Sequence, residues 1–85
     1  PNVKTFRLID PSGALPFSFL PGQFLNLSAS IDGKTVTRAY TIASSPTEAS
    51  FCDLTIKRED QGTFSRYLHD VIREGDLIDV KGPSG

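Results

Sequence analysis

Apolar and polar residues alternate along most of this chain, and the alternation predicts five strands. In Val3–Ile9, Val3, Thr5, Arg7 and Ile9 face one way and Lys4, Phe6 and Leu8 the other. Asp10-Pro11-Ser12-Gly13 stops this strand with turn chemistry. Leu15 to Leu20 is apolar but interrupted by Pro16 and closed by Pro21-Gly22, which predicts an irregular loop on the core ending in a type II turn. Gln23 to Ile31 alternates again, with Leu25, Leu27, Ala29 and Ile31 on one face. Asp32-Gly33 is a strong hairpin signal, and Lys34 to Ala43 is the return strand. After a loop from Ser44 to Ser50, Phe51 to Arg58 sets Cys52, Leu54, Ile56 and Arg58 against Phe51, Asp53, Thr55 and Lys57.

The period then changes. Glu59-Asp60-Gln61-Gly62 breaks the strand. From Thr63 to Ile72, Phe64, Tyr67, Leu68 and Val71 fall at i, i+3, i+4 and i+7, a helical stripe with Thr63 as its N-cap. Arg73-Glu74-Gly75-Asp76 is a tight turn, Leu77 to Lys81 a last strand, and Gly82-Pro83-Ser84-Gly85 a linker-like ending. Short antiparallel strands in a small domain hide their edges by closing into a barrel, which the helix would cap.

Composition narrows the class. The 85 residues suffice for one small domain. A formal net charge of -1, without a basic stripe, argues against nucleic acid as a partner. One cysteine, Cys52, excludes an internal disulfide and a cysteine-held metal cluster. It alternates with Leu54 and Ile56, as a buried small residue does. No signal peptide or membrane-length apolar run is present, so no membrane partner and a cytoplasmic location are expected. No residue is methionine, including residue 1, which suggests a piece of a longer protein.

The candidate chemistry gathers at Arg38-Ala39-Tyr40-Thr41. Val36, Arg38, Tyr40 and Ile42 share a strand face. Val36 and Ile42 suit a core, whereas Arg38 and Tyr40 do so only if something anionic and flat lies over them. A guanidinium holds phosphate through two parallel hydrogen bonds, and a phenol ring packs on a planar heterocycle. The alternative is an exposed face on which an arginine covers a tyrosine. A second anion-suited group is Gly62-Thr63-Phe64-Ser65, a helix start with backbone N–H groups and two hydroxyls. Alone it reads equally as a plain N-cap. His69 near the helix end fits the dipole there and has no metal or catalytic constellation. Asp70, Glu74, Asp76 and Asp79 read as solvated turn and edge charges, and Lys57-Arg58-Glu59-Asp60 as a solvated strand end.

Arg38 to Pro46, Arg-Ala-Tyr-Thr-Ile-Ala-Ser-Ser-Pro, resembles the flavin motif of the ferredoxin–NADP reductase superfamily. Pro21-Gly22-Gln23-Phe24 resembles the segment before that family's second hairpin. Gly62-Thr63-Phe64-Ser65 with Tyr67-Leu68 resembles its phosphate helix. Gly75-Asp76, Val80, Gly82-Pro83 and Gly85 resemble its closing strand and the junction to the next domain. The resemblance covers the whole chain. It implies an all-β fold, a six-stranded antiparallel Greek-key barrel with one capping helix, of which five strands are seen here. Residues 1–85 would be the FAD-binding barrel domain, without the family's N-terminal strand and without the NAD(P)-binding domain that follows.

The resemblance also implies roles. Arg38 would pair with the cofactor's phosphates, and Tyr40 would pack against the flavin ring. Thr41 would take the catalytic position near the reactive N5, through its backbone or a bend at the strand end, since its side chain points away from Tyr40. Thr55, Ile56 and Lys57 would border the pyrimidine edge, and Gly62, Thr63 and Ser65 would bind the pyrophosphate. No metal site is implied. The expected function is a flavin-binding domain of an NAD(P)H-dependent electron-transfer oxidoreductase, passing electrons to an iron–sulfur or haem partner. The 85 residues alone are expected to be inactive. FMN stays open beside FAD, as do the acceptor, NADH against NADPH, and oligomeric state. The rivals are a docking or regulatory barrel without flavin, and an oligonucleotide-binding barrel, against which balanced charge and the lack of spaced aromatics argue.

Overall fold

The computed structural model describes residues 2–85. It contains β1 (Val3–Ile9), β2 (Phe24–Ile31), β3 (Lys34–Thr41), β4 (Phe51–Lys57), α1 (Thr63–Asp70) and β5 (Asp79–Ser84). All pairings are antiparallel. β1 lies on β4, with Val3 opposite Lys57 and Ile9 opposite Phe51. β2 is the centre of a second sheet in the order β3-β2-β5. The two sheets meet at a bridge between Ile42 and Leu54, beside which the Ala43 N–H donates to Asp53 O at 2.7 Å. The described residues are thus mostly antiparallel β with one helix.

The local chemistry acts as the pattern requires. At the β2–β3 hairpin, Asp32 and Gly33 both adopt positive φ, 52° and 78°, the pair that a two-residue hairpin matched to strand twist demands. Inward residues of β2 and β4 make the core: Leu25, Leu27, Cys52, Leu54 and Ile56 are buried, joined by Ile42, and Phe19 closes one side from the irregular loop. The turn before β2 forms with Gly22 at φ 85° and the Gln23 N–H donating to Leu20 O at 3.2 Å. Burial pushes the Cys52 thiol up, with Asp53 adding to the shift.

Two elements depart from the sequence reading. The helix ends at Asp70, and its N-cap is Gly62 with no side-chain cap, not Thr63. Its buried stripe is Phe64, Ser65, Leu68 and His69, one position round from the predicted one, so Tyr67 is half-buried and Val71 is 56% exposed. The rotation follows from polar anchors invisible to hydrophobic periodicity: the His69 Nε2–H donates to Ile56 O at 2.8 Å, and its ring meets Phe6 edge-on at 5.7 Å. The last strand is Asp79–Ser84, not Leu77–Lys81. Leu77 is 90% exposed, and the linker-like ending joins the sheet, with Ser84 opposite Phe24 of β2. A register shift between Phe24 and Asn26 absorbs the irregularity. Gly82 sits there at φ 116°, where a Cβ would lie 3.2 Å from Phe24 O. Glycine and proline are tolerated at such a bulged edge.

Ion pairs tie the elements from outside. Arg7 holds Asp53 through two hydrogen bonds of 2.9 and 3.0 Å and lies 3.6 Å over the Phe51 ring. Arg58 holds Asp70 at 2.8 Å, so neither is a free solvated charge. Hydrogen bonds from Arg7 and Arg58 hold the Asp53 and Asp70 carboxyls below the usual carboxylate range. No helix among the described residues is long and apolar enough to cross a membrane.

Leu54→Ala is expected to cost about 2–5 kcal/mol, while Leu77→Ala stays within about 0.5 kcal/mol; urea unfolding distinguishes them, and equal effects would contradict the packing. The folded protein binds protons at Asp53 and Asp70 less readily than the unfolded chain does. Their stabilisation is therefore present above the ordinary carboxyl pKa and lost as pH falls below about 4. Asp53→Asn with Asp70→Asn should flatten the acid limb of a stability–pH curve, and an unchanged limb would show that these pairs contribute nothing.

Candidate functional site

Beyond the Ile42–Leu54 bridge no ladder joins β3 to β4 among the described residues. The strands separate, and the first turn of α1 borders the gap. The result is a groove of about 350 Å³. Arg38 and Tyr40 line it from β3, Thr55, Ile56 and Lys57 from β4, and Gly62, Thr63 and Ser65 from the helix start. Eight of the nine residues singled out from the sequence therefore share one cleft. Thr41 does not line it, and its side chain is exposed on the face opposite Tyr40.

Each wall has a structural cause. Arg38 shares the face of Val36, Tyr40 and Ile42 but is exposed where that face opens into the groove; its Nη1 donates to Thr37 O at 2.7 Å. Among the described residues it has no carboxylate partner, unlike Arg7 and Arg58. Tyr40 is half-buried with its ring 6.1 Å from that of Phe64 at 31°. Burial pushes its phenol pKa up, and the Arg38 charge opposes this. On β4, the Arg58 N–H bonds Asn2 O on the β1 side. Ladder alternation therefore turns the backbone groups of Lys57, the residue before, away from β1 and toward the gap.

The helix start is built for exposed donors. The first N–H bonded within this turn is that of Arg66, to Gly62 O at 3.1 Å. The N–H groups of Thr63, Phe64 and Ser65 precede it and have no partner among the described residues. The Ser65 hydroxyl is engaged locally: it accepts the Glu59 N–H at 3.0 Å and donates to Gly62 O at 3.3 Å. What Ser65 leaves unpaired is its amide. Glycine at 62 serves this closure, since a Cβ there would lie 2.7 Å from Ser65 Oγ and 2.9 Å from Glu59 Cβ.

Glu59 and Gln61 also line the cleft. In the sequence they read as a strand break, and nothing in their type marks them. His69, which read as a terminal helix charge, is a buried strut to Ile56 behind the groove wall. Together the groove offers one unpaired guanidinium, three free amides at a helix start, an aromatic ring and an open strand edge. That set suits a phosphate-bearing planar heterocycle, and a flavin nucleotide fits it in kind. No group of His, Cys, Asp and Glu among the described residues is arranged to hold a metal ion.

Known proteins point the same way. The chain is 44% identical over 84 residues to the glycine betaine monooxygenase reductase subunit of Pseudomonas aeruginosa, covering 99% of this chain and 23% of that protein. It is 44% identical over 84 residues to NADH-cytochrome b5 reductase 1 of Mycosarcoma maydis, covering 99% of this chain and 26% of that one. A flavohemoprotein of Pseudomonas aeruginosa is 35% identical over 99% of this chain and 21% of its own length. The chain thus spans about a quarter of the length of these relatives. The crystal structure of the flavohem-like FAD/NAD-binding domain of nitric oxide dioxygenase from Vibrio cholerae O1 biovar El Tor superposes with a TM-score of 0.89 at 24% identity, over 100% of this chain and 38% of that one. This likeness establishes the fold. The sequence profile of the oxidoreductase FAD-binding domain matches residues 1–85, and the chain belongs to that family.

Proposed function

We propose that this chain is the flavin-holding part of an NAD(P)H-dependent electron-transfer oxidoreductase, with FAD in the groove between β3, β4 and α1. One observation carries the reading. The guanidinium of Arg38 and the unpaired amides of Thr63–Ser65 border one cleft that Tyr40 also lines. Bound FAD would supply hydride acceptance from NAD(P)H and release of single electrons to an iron–sulfur or haem partner.

The protein's contribution is binding and orientation. Arg38 neutralises phosphate charge, and the amides of Thr63, Phe64 and Ser65 donate to phosphate oxygens at the positive end of the helix. Tyr40 packs on the ring system. The β4 edge at Thr55–Lys57 meets the pyrimidine through backbone groups. Thr41 contributes near the reactive nitrogen through its backbone or a bend at the end of β3. The two sheets form most of a six-stranded Greek-key barrel. NAD(P)H and the electron acceptor bind outside these 85 residues, in line with relatives about four times as long.

Arg38→Ala should weaken FAD binding about 10- to 100-fold, the range for one charge-assisted contact, and leave riboflavin, which lacks phosphate, nearly unaffected. Flavin fluorescence titration reads both. Equal loss for the two ligands would remove the phosphate role, and protein that stays colourless in excess FAD would favour the docking barrel.

A further inference from the structure

Pro21-Gly22-Gln23-Phe24 lies outside the groove lining. Gln23 is half-buried at the entry to β2, and each of its polar groups is engaged. Its Oε1 accepts the Leu20 N–H at 2.8 Å, and its own N–H donates to Leu20 O at 3.2 Å. Both polar groups of Leu20 therefore close on Gln23 across the Pro-Gly turn. The Gln23 Nε2 donates to Gly85 O at 3.4 Å. Its carbonyl accepts the Ile42 N–H at 2.9 Å. One residue thus joins the irregular loop, the continuation of β3 and the residue after β5.

The tie to Ile42 bears on the groove. It is the last rung between β2 and the strand that carries Arg38 and Tyr40. The next N–H, of Ala43, donates to Asp53 O on β4. The strand therefore changes partners between Ile42 and Ala43. Hydrogen-bonding direction alternates along an antiparallel ladder. Ile42 faces Gln23, so the N–H of Thr41, one residue earlier, points away from β2. It points to the side from which β4 has separated beyond the Ile42–Leu54 bridge. The neighbouring packing holds this corner still. Phe24 pairs with Thr41 on one side and with Ser84 on the other. Gly85 lies so close that a Cβ there would be 3.1 Å from the Phe24 ring.

Resting on the functional reading above, we propose that Gln23 is a positioning residue for the flavin's reactive end. It lies outside the groove and acts through Ile42 and Thr41. By locking the loop, the end of β5 and Ile42 to one another, it fixes the aim of the Thr41 N–H, the backbone donor for the reactive nitrogen. That nitrogen accepts a hydrogen bond while the flavin is oxidised and carries hydrogen itself once the flavin is reduced. A well-aimed donor therefore favours the oxidised form, and loosening it raises the potential.

The test is Gln23→Met, in the apoprotein and in the FAD-loaded protein. Methionine keeps the side chain's approximate volume and loses both of its hydrogen bonds. FAD affinity, read by fluorescence titration, should stay within about two-fold of the wild type, because the phosphate-holding groups stand on other segments. Exchange of the Ile42 amide in the apoprotein should speed up about three- to ten-fold, the scale of one neutral hydrogen bond. The preference for oxidised over reduced FAD should fall by the same factor, which raises the midpoint potential by about 14 to 30 mV for a two-electron couple. Gln23→Glu, which keeps an acceptor for the Leu20 N–H, should restore most of the slow exchange. Faster Ile42 exchange with an unchanged potential would make Gln23 a fold residue only and overturn the positioning role. Parallel losses of FAD affinity and stability, or no change in exchange, would overturn it as well. A wild type that takes no FAD would overturn the functional reading, and the positioning role with it.

Discussion

Everything at the groove depends on α1 being pinned to the end of β4. A helix of eight residues has little stability of its own. Polar ties hold it, among them a bond from Lys4 Nζ to His69 O at 2.9 Å. The Ser65 hydroxyl stitches the first turn to the Glu59 amide and the Gly62 carbonyl, His69 reaches back to Ile56 O, and Arg58 grips Asp70 at the far end. Phe64 and Leu68 fill the space between these ties. Two of the ties start from the strand that forms one groove wall or from its immediate continuation. The helix amides therefore keep a fixed offset from that wall, as a rigid binding site requires.

The same scaffold explains why Arg38 differs from Arg7 and Arg58. Arg7 and Arg58 are spent on carboxylates that join neighbouring elements. Arg38 stands on the strand that has lost its neighbour, where the nearest acceptor is the carbonyl of Thr37. A cation left without a counter-charge beside unpaired helix amides creates a locally positive cleft in a chain whose net charge is -1. Glu59, on the rim, is the opposing charge that limits this field.

Much of this was legible in the residues. Alternation marked β1 to β4 to within a residue or two, and Asp32-Gly33 fixed the hairpin. Arg38 and Tyr40 stood out because neither belongs on a core face. The helix stripe was misassigned by one position because periodicity counts apolar side chains, and a serine and a histidine with satisfied hydrogen bonds are buried as readily. The closing strand was misplaced because glycine and proline argue against a strand unless the bulge they occupy is known in advance. Glu59 and Gln61 at the cleft were not readable, since their position depends on how the loop folds over Ser65.

The lone thiol carries a consequence for how motion in this protein can be followed. Cys52 has no solvent-accessible surface, and it pairs across the sheet with Leu8 of β1. Burial also raises its pKa, which suppresses the thiolate, the form that reacts. Alkylating reagents can therefore reach it when β1 lifts from β4, or when the whole domain opens, and not otherwise. The rate of its modification is a native clock for that excursion. A ligand spanning β3, β4 and α1 would slow the clock in proportion to how firmly it closes the two sheets together.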